Sequence, residues 1–225
     1  MHRIERLDAV LDLIEKHNSG TSLADIGTDH AYLPVKAVER GLCTKAYACD
    51  LNEGPLEASR KAIADYHLED KITPLPGSGL GPVADKDVDL IAICGMGGVL
   101  ITDILEAHRG KAQHSVLFLQ ANTAIDTLRR YLSGHGFQII DEAMVKDAGH
   151  LYEIIVATGG AQTLSEDDVT FGVYLPHRDE PLFREKWTRR LEKLQSVEAS
   201  LPAGHPRHTE ITKDIRRIQA VMTGE

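Results

Sequence analysis

The first 160 residues alternate short apolar runs with amphipathic helical patterns, and this alternation constrains the fold more than any other feature of the sequence. Short apolar runs without a polar face are typical of parallel strands that are buried on both sides. Four are clear, at residues 22–26, 45–50, 88–94 and 115–120, and a weaker one spans 71–75. Helical patterns lie between them at residues 31–40, 53–66, 99–108 and 124–135.

Two more strand-like runs, at residues 137–145 and 151–158, follow each other without a helix between them. We expect them to pair antiparallel at one edge of the sheet, because only antiparallel strands can be joined by a short turn. Strand–helix alternation that ends in such a pair predicts an α/β fold, with a doubly wound, Rossmann-like sheet covered by helices on both faces.

A different pattern begins after Gly159 and Gly160. Apolar residues recur every three or four positions in two stretches, first at Phe183, Trp187, Leu191, Leu194, Val197 and Leu201, then at Ile211, Ile215, Ile218 and Met222. The prolines and glycine within residues 202–206 form a connection that no helix can cross. We therefore predict a C-terminal antiparallel helical hairpin of the coiled-coil type, and two domains, residues 1–160 and 161–225.

Composition excludes several classes of protein. The 225 residues are 42% hydrophobic with a net charge of −9, which is ordinary for a globular chain, and no apolar run approaches the ~20 residues that span a bilayer. Residues 1–17 are charged and helix-patterned, unlike a signal peptide. Cys43, Cys49 and Cys94 fit neither a disulfide framework nor a zinc cluster. We expect a cytoplasmic, reduced protein whose acidity disfavours non-specific nucleic-acid binding but leaves a local basic face open.

The loop after the first strand is a candidate ligand site. A glycine turn from strand to helix, here Gly27 with Thr28 and His30, lets backbone amides meet a ligand. A dinucleotide site needs G-x-G-x-x-G at this point, whereas this loop has one glycine and would face a pyrophosphate with Asp25 and Asp29. NAD is therefore disfavoured, and S-adenosylmethionine, which carries a sulfonium and an ammonium group, suits the acidic loop better.

Three further strand ends agree with this cofactor. Asp50 ends the second strand, where an acid can accept hydrogen bonds from both ribose hydroxyls. Gly77 and Ser78 follow the third strand and offer a small polar loop to an adenine amino group, and GMGG at 95–98 clears space after the fourth. Each signal is common alone, but four at successive strand ends predict an S-adenosylmethionine site.

The motifs at these positions resemble those of the TrmK family, class I S-adenosylmethionine-dependent methyltransferases that modify N1 of adenine 22 in tRNA. The resemblance rests on DIGTDHAYLP at 25–34, NEGPL at 52–56, GMGG at 95–98 and LQAN at 119–122, and it continues through LYEII at 151–155 and the terminal hairpin. Two positions depart from the usual pattern. Ala121 replaces a proline, which loosens the loop that carries Asn122, and Asp50 replaces a glutamate.

The resemblance and the strand ends together imply a set of site residues. Those predicted at the reaction centre are Asp29, Tyr32, Met96 and Asn122. Those predicted to bind the cofactor are Asp25, Gly27, Thr28, His30, Asp50, Leu51, Gly77, Ser78 and Gly95. No metal is expected, because these residues lack the spacing of metal ligands.

Four of these residues also have an alternative, purely structural interpretation. Asp29 could serve only as the cap of the following helix, and His30 as a structural hydrogen-bonding histidine. Tyr32 fits a half-buried packing position, and Asn122 fits the N-cap of the helix predicted at 124–135.

The motif after the fourth strand favours N1 over N6 of adenine as the acceptor. N1 has an in-plane lone pair at neutral pH, so methylation needs no base, only an extruded adenine held in line and accommodation of the resulting cation. Enzymes that methylate N6 share an Asp/Asn-Pro-Pro-aromatic turn here, and this chain has GMGG instead.

The predicted hairpin is rich in basic side chains. They are Arg184, Lys186, Arg189, Arg190, Lys193, Lys213, Arg216 and Arg217. Composition alone favours the solvated face of a coiled coil, since acids are interleaved with them. The resemblance instead implies an arm that contacts phosphates and holds tRNA over the α/β domain.

We therefore predict a tRNA adenine-N1 methyltransferase. The alternatives are a class I methyltransferase for a small molecule or protein, and a non-catalytic RNA-binding module that keeps the fold. A nicotinamide-dependent oxidoreductase is opposed by the missing glycines. The sequence does not fix the oligomeric state, and a monomer is compatible with it.

Overall fold

A computed structural model describes residues 4–17, 20–177, 180–202 and 205–224. Its strands are β1 (Ser22–Ile26), β2 (Lys45–Asp50), β3 (Ile72–Pro76), β4 (Leu90–Gly97), β5 (Val116–Thr123), β6 (Phe137–Asp147) and β7 (His150–Gly159). Its helices are α1 (Glu5–His17), α2 (Tyr32–Glu39), α3 (Glu53–Asp65), α4 (Gly98–Ala107), α5 (Arg109–Gln113), α6 (Ile125–Gly134), α7 (Glu166–Phe171), α8 (Pro181–Ser200) and α9 (Arg207–Thr223).

The seven strands form one sheet in the order β3-β2-β1-β4-β5-β7-β6. The first five in this order are parallel, while β7 runs antiparallel to both β5 and β6. This confirms the predicted Rossmann-like sheet and its antiparallel edge pair. The carboxyl ends of β1 to β5 therefore lie along one edge, here called the carboxyl edge, and the order of the strands reverses between β1 and β4.

Two apolar cores cover the faces of the sheet. Helices α1 to α3 pack on one face, burying residues such as Leu11, Leu33 and Ile63. Helices α4 to α6 pack on the other, where Leu105 and Leu128 are fully buried. Because helices cover both faces of the sheet, its exposed parts are the polar loops at the strand ends, where a ligand can reach them.

Helices α8 and α9 form the predicted hairpin, although residues 203 and 204 of its connection lie outside the described part of the chain. A third apolar cluster joins Trp187 and Ile218 of the hairpin to Phe171 of α7 and Met144 of β6. The hairpin therefore packs on the edge of the sheet as well as on itself.

A buried ionic network lies beside this contact. Arg129 of α6, fully buried, donates hydrogen bonds to Glu142 of β6 at 2.8 Å and to Glu153 of β7 at 2.6 Å. Lys186 of α8 also pairs with Glu153. Burial alone would raise the pKa of Glu153, but the two cations outweigh it and hold that pKa below its usual value. If α8 left the sheet, Glu153 would lose Lys186 and its buried charge would be less well compensated. The network therefore favours the packing of α8 on the sheet.

Among the described residues, no helix is long and apolar enough to cross a membrane. The same part of the chain contains no cluster of three or more His, Cys, Asp or Glu side chains placed to hold a metal ion.

Candidate functional site

The loop after β1 is held tightly against β2. Backbone N–H groups of Gly27 and Thr28 both donate to the carbonyl of Cys49, at 2.8 and 2.9 Å. Gly27 has φ 77°, and a Cβ there would lie 2.1 Å from Cε of Met96, so only glycine fits beneath that side chain. The Met96 side chain thus links the loop after β1 to the end of β4.

Asp25, the residue before the last of β1, carries a buried carboxylate. Burial raises its pKa to about 7; the hydroxyl of Thr28 opposes this rise, and the nearby charges of Asp29 and Asp50 add to it. Three acids are clustered here, and one of them is held partly protonated by burial and by the others. The site therefore has an excess of negative charge. It is therefore electrostatically suited to a cationic ligand.

Asp29 and His30 face solvent at the mouth of this loop. Their side chains, 72% and 67% exposed, hydrogen-bond to each other through Oδ1 and Nδ1. Helix α2 has Ala31 as its N-cap and receives no side-chain cap, so the interpretation of Asp29 as a helix cap is wrong. The carboxylate is exposed to solvent, with His30 as its side-chain partner.

Tyr32 is buried at the start of α2. Its hydroxyl donates to Asp8 of α1 at 2.8 Å, which joins the two helices. Its ring also lines a cavity of about 580 Å³ that is bordered by Asp29, His30 and Tyr66. The structure agrees with a packing role, and the predicted role at the reaction centre stays a prediction.

The ends of β2 and β3 lie side by side. Asp50 accepts a hydrogen bond from the N–H of Asn52 at 2.7 Å, and its carbonyl accepts one from Gly77 at 3.0 Å. Leu51 is 69% exposed, an unusual position for a large apolar side chain, and Ser78 is exposed beyond Gly77. Together they offer a carboxylate, an apolar surface and a small polar loop to one ligand.

The glycine-rich end of β4, residues 95–97, is held by two side chains of β5. Buried Gln120 accepts a hydrogen bond from the N–H of Gly95 at 3.0 Å, and Asn122 donates to the carbonyl of Gly95 at 2.7 Å. Gln120 also donates to Asn122 at 3.1 Å. The N-cap of α6 is Ala124, so the interpretation of Asn122 as that cap is wrong. Sequence reasoning missed Gln120, although it stands inside the LQAN motif.

Ala121, between these two residues, stays in strand β5. It is buried and pairs with Met96 across a register shift in β4. The strand continues to Thr123. The position therefore stays paired within the strand without the proline that the family usually has.

Arg6 of α1 is a second residue that sequence reasoning missed. It lines a cavity of about 210 Å³ together with Asp25, Gly27 and Asp29. Its guanidinium donates to Oδ1 of Asn122 at 3.4 Å and lies 5.1 Å from the ring centre of Tyr152. Nothing in the spacing of the sequence places α1 over the carboxyl edge, because these contacts cross more than a hundred residues.

The basic residues of the hairpin fall into two groups. Lys186, Arg189 and Arg217 form ion pairs with Glu153, Glu185 and Asp167 respectively. The others are exposed: Arg184, Arg190, Lys193, Lys213 and Arg216. Lys186 and Arg217 connect the hairpin to β7 and α7, while the exposed residues of the second group, like Arg189, are accessible to a polyanion.

Comparison with known proteins adds an independent finding. Residues 23–222 match the model of the TrmK family, described as tRNA (adenine(22)-N(1))-methyltransferase. The chain is 32% identical over 200 residues to the Bacillus subtilis (strain 168) tRNA (adenine(22)-N(1))-methyltransferase, covering 86% of this chain and 83% of that one.

Two solved structures are similar over nearly their whole length. Streptococcus pneumoniae Sp1610, in complex with S-adenosyl-L-methionine, is 37% identical with a TM-score of 0.87, covering 96% of this chain and 98% of that one. M. capricolum TrmK, in complex with S-adenosyl-homocysteine, is 28% identical with a TM-score of 0.84, covering 97% and 96%.

Proposed function

This chain belongs to the TrmK family of tRNA (adenine(22)-N(1))-methyltransferases, and from that membership we propose how its own residues carry out the reaction. The enzyme transfers a methyl group from S-adenosylmethionine to N1 of adenine 22 in tRNA. The observation that carries the residue assignments is the carboxyl edge, where three acids and a series of glycines meet at the ends of successive strands.

The residues of this edge fit S-adenosylmethionine. Asp25, Asp29 and Asp50 supply carboxylates for a ligand with two positive centres, and a Cβ on Gly95 would enter the cavity lined by Arg6. When bound, the cofactor supplies a methyl group on positively charged sulfur. We assign Asp50 to the ribose hydroxyls, Leu51, Gly77 and Ser78 to the adenine ring, and Asp25, Gly27, Thr28 and His30 to the amino-acid end.

The target adenine needs positioning more than proton transfer. Because its N1 already carries a lone pair, the protein has to hold the extruded base in line and stabilise the positive charge that methylation creates. Asp29 is exposed at the mouth of the cofactor loop, so its carboxylate can face that charge. We assign this electrostatic role to Asp29.

Asn122 and Met96 complete the reaction centre in this proposal. One N–H of the Asn122 amide is used by the carbonyl of Gly95, which leaves the second N–H for a base or the cofactor. Met96 covers Gly27 and gives an apolar surface that excludes water from the site. Tyr32 lines the neighbouring cavity with its ring.

The hairpin serves as the tRNA-binding arm in this proposal. Lys213, Arg216 and Arg217 of α9 line one open cleft, which gives a local basic face on a chain with a net charge of −9. Such a face binds phosphates without reading sequence and positions the folded RNA. Lys186 and Arg217 join the arm to β7 and α7, whereas Arg189 pairs with Glu185 inside α8. We place the reaction in the cytoplasm, with which the three free thiols agree.

The experiment is methylation of an unmodified tRNA transcript, followed by digestion to nucleosides. We expect 1-methyladenosine, and no product when position 22 of the transcript is guanosine. N6-methyladenosine, or methyl groups found only in protein or small molecules, would contradict the acceptor assignment. Absence of S-adenosylhomocysteine formation with tRNA present would identify a non-catalytic binding module instead.

A further inference from the structure

The Arg6 guanidinium is a cation without a matching anion. Among the described residues, no carboxylate lies within ion-pair distance of it, and its Nε is buried without a hydrogen-bond partner. Its one hydrogen bond, to Asn122, is long at 3.4 Å. A guanidinium has five N–H donors in a planar fork that matches a carboxylate or phosphate. The geometry of Arg6 therefore leaves room for an anionic ligand.

The cavity beside Arg6 is open because of a glycine. A Cβ on Gly95 would lie 3.9 and 4.0 Å from the two terminal nitrogens of Arg6. The same cavity is lined by Asp25, Gly27 and Cys94. It lies where β1 and β4 end side by side, at the point where the strand order reverses.

The order of the strands indicates which part of the cofactor reaches this cavity. S-adenosylmethionine is an elongated molecule with adenine, ribose, sulfur and amino acid in succession, and neighbouring strands are about 4.8 Å apart. With the adenine beside β3 and the ribose at Asp50 of β2, the amino-acid end falls at β1 and β4. This is the cavity that Arg6 lines.

The charges of the cavity complement an amino acid. Asp25 and Asp29 match an ammonium group, but by themselves they would repel a carboxylate. Arg6 is the cation among the residues that line the cavity. We propose, resting on the cofactor assignment above, that Arg6 receives the carboxylate of the methionine moiety through its guanidinium. The N-terminal helix α1 thereby closes the amino-acid end of the cofactor site.

Calorimetric titration without tRNA tests this assignment. The ligands are S-adenosylhomocysteine and its decarboxylated analogue, S-adenosyl-3-thiopropylamine, which keeps the ammonium and lacks the carboxylate. Arg6→Gln should weaken binding of S-adenosylhomocysteine at least tenfold and binding of the analogue less than twofold. Arg6→Lys should fall between, because lysine keeps the charge but loses the fork. Arg109→Gln, an exposed arginine on α5, is the matched control and should change neither affinity.

Other outcomes contradict the assignment. Equal weakening of both ligands by Arg6→Gln would make Arg6 a structural residue. A loss of tRNA affinity with unchanged S-adenosylhomocysteine affinity would identify an RNA phosphate as the anion. If Arg6→Gln lowers the melting temperature, the test rests on Arg6→Lys. A ratio of the two ligand affinities equal to that of the wild-type protein would then overturn the proposal. Because the titrations use no acceptor, their result is independent of whether adenine 22 is the methylated position.

Discussion

The side chain of Gln120 accepts a hydrogen bond from the backbone N–H of Gly95 over 3.0 Å. This contact fixes the glycine-rich end of β4, residues 95–97, where β4 loses its regular register with β5. Since Gln120 is fully buried, its amide has no access to water and its partners cannot easily be replaced. The conformation of residues 95–97 therefore depends on one side chain of the neighbouring strand, β5.

We expect Gln120→Leu to destabilise the protein and to slow methyl transfer. Leucine fills a similar volume but leaves the N–H of Gly95 without its acceptor, which costs about 1–3 kcal/mol. Chemical denaturation measures the free energy of unfolding, and single-turnover methylation measures the rate. Gln195→Leu, at an exposed position of α8, is the control for stability. Unchanged stability and rate would show that the end of β4, residues 95–97, keeps its conformation without Gln120.

Asp50→Ala should weaken binding of S-adenosylmethionine at least tenfold while the fold is kept. The carboxylate is partly exposed at the end of β2, where charge-assisted hydrogen bonds to ribose hydroxyls contribute on the order of 1.5–3 kcal/mol each. Calorimetry gives the affinity and thermal melting gives the stability. Asp70→Ala, at an exposed position before β3, should leave the affinity unchanged. An unaltered affinity in folded Asp50→Ala protein would remove Asp50 from the site.

Asp25 should make cofactor binding depend on pH. Its pKa of about 7 in the free protein lies above the ordinary value of 3.8, so its contribution to stability is complete below about pH 4 and is lost as the pH rises through 7. A cationic ligand favours the ionised carboxylate and lowers that pKa. Binding near pH 6 should therefore release a proton, and affinity should rise with pH up to about 7.

Calorimetry in two buffers of different ionisation enthalpy measures the released proton. We expect close to one proton for the wild-type protein and a clearly smaller number for Asp25→Asn. Equal proton release in both proteins would assign the titration to another group.

Asp29→Asn should lower the single-turnover rate at least tenfold at saturating cofactor. Methylated adenine is positively charged, so a nearby carboxylate stabilises the transition state more than the ground state. Asparagine keeps the shape and removes the charge, and no helix cap is lost, because α2 receives none from this side chain. Melting temperature and tRNA affinity should change little. An undiminished rate would leave Asp29 without a role in catalysis.

The sequence predicts the sheet well because buried strands leave a local signature. Strands β1 and β2 begin and end at the predicted residues, since each is a continuous apolar run between polar turns. β4 and β5 extend past their predicted ends, to Gly97 and Thr123, because pairing between the two strands continues across two register shifts, with Met96 opposite Ala121 and Gly97 opposite Thr123. Local patterns cannot show pairing of this kind.

The same limit explains what was missed at the site. Arg6 and Gln120 act through contacts with Asn122 and Gly95, which are set by the packing of α1 and by strand register. Asn122 resembles a helix cap in sequence, yet Ala124 occupies that position in a left-handed conformation. Helix α7 was also missed, although its capping box, Ser165 with Asp168, is a recognisable local signal.

The hairpin is best tested by point substitutions, since its removal would expose the apolar residues that it covers. Lys186 pairs with Glu153 at the sheet edge and Phe183 belongs to the third apolar cluster, so residues 1–160 alone would leave Glu153 without Lys186 and Met144 without the hairpin side chains that cover it. A fragment that aggregates says nothing about RNA binding. Substitution of exposed basic residues removes charge and keeps the packing.

The triple variant Arg190→Gln, Lys213→Gln, Arg216→Gln should bind tRNA about tenfold more weakly at physiological salt. In a plot of log affinity against log salt concentration, each lost phosphate contact should also reduce the magnitude of the slope by up to about one. The matched control replaces three exposed cations away from the carboxyl edge, Lys45→Gln, Lys71→Gln, Arg109→Gln, with the same change in net charge. Affinity for S-adenosylhomocysteine should be unchanged in both. Equal losses of tRNA binding in both triple variants would indicate general attraction by net charge, and no loss in the first would make the hairpin face a solvated surface only.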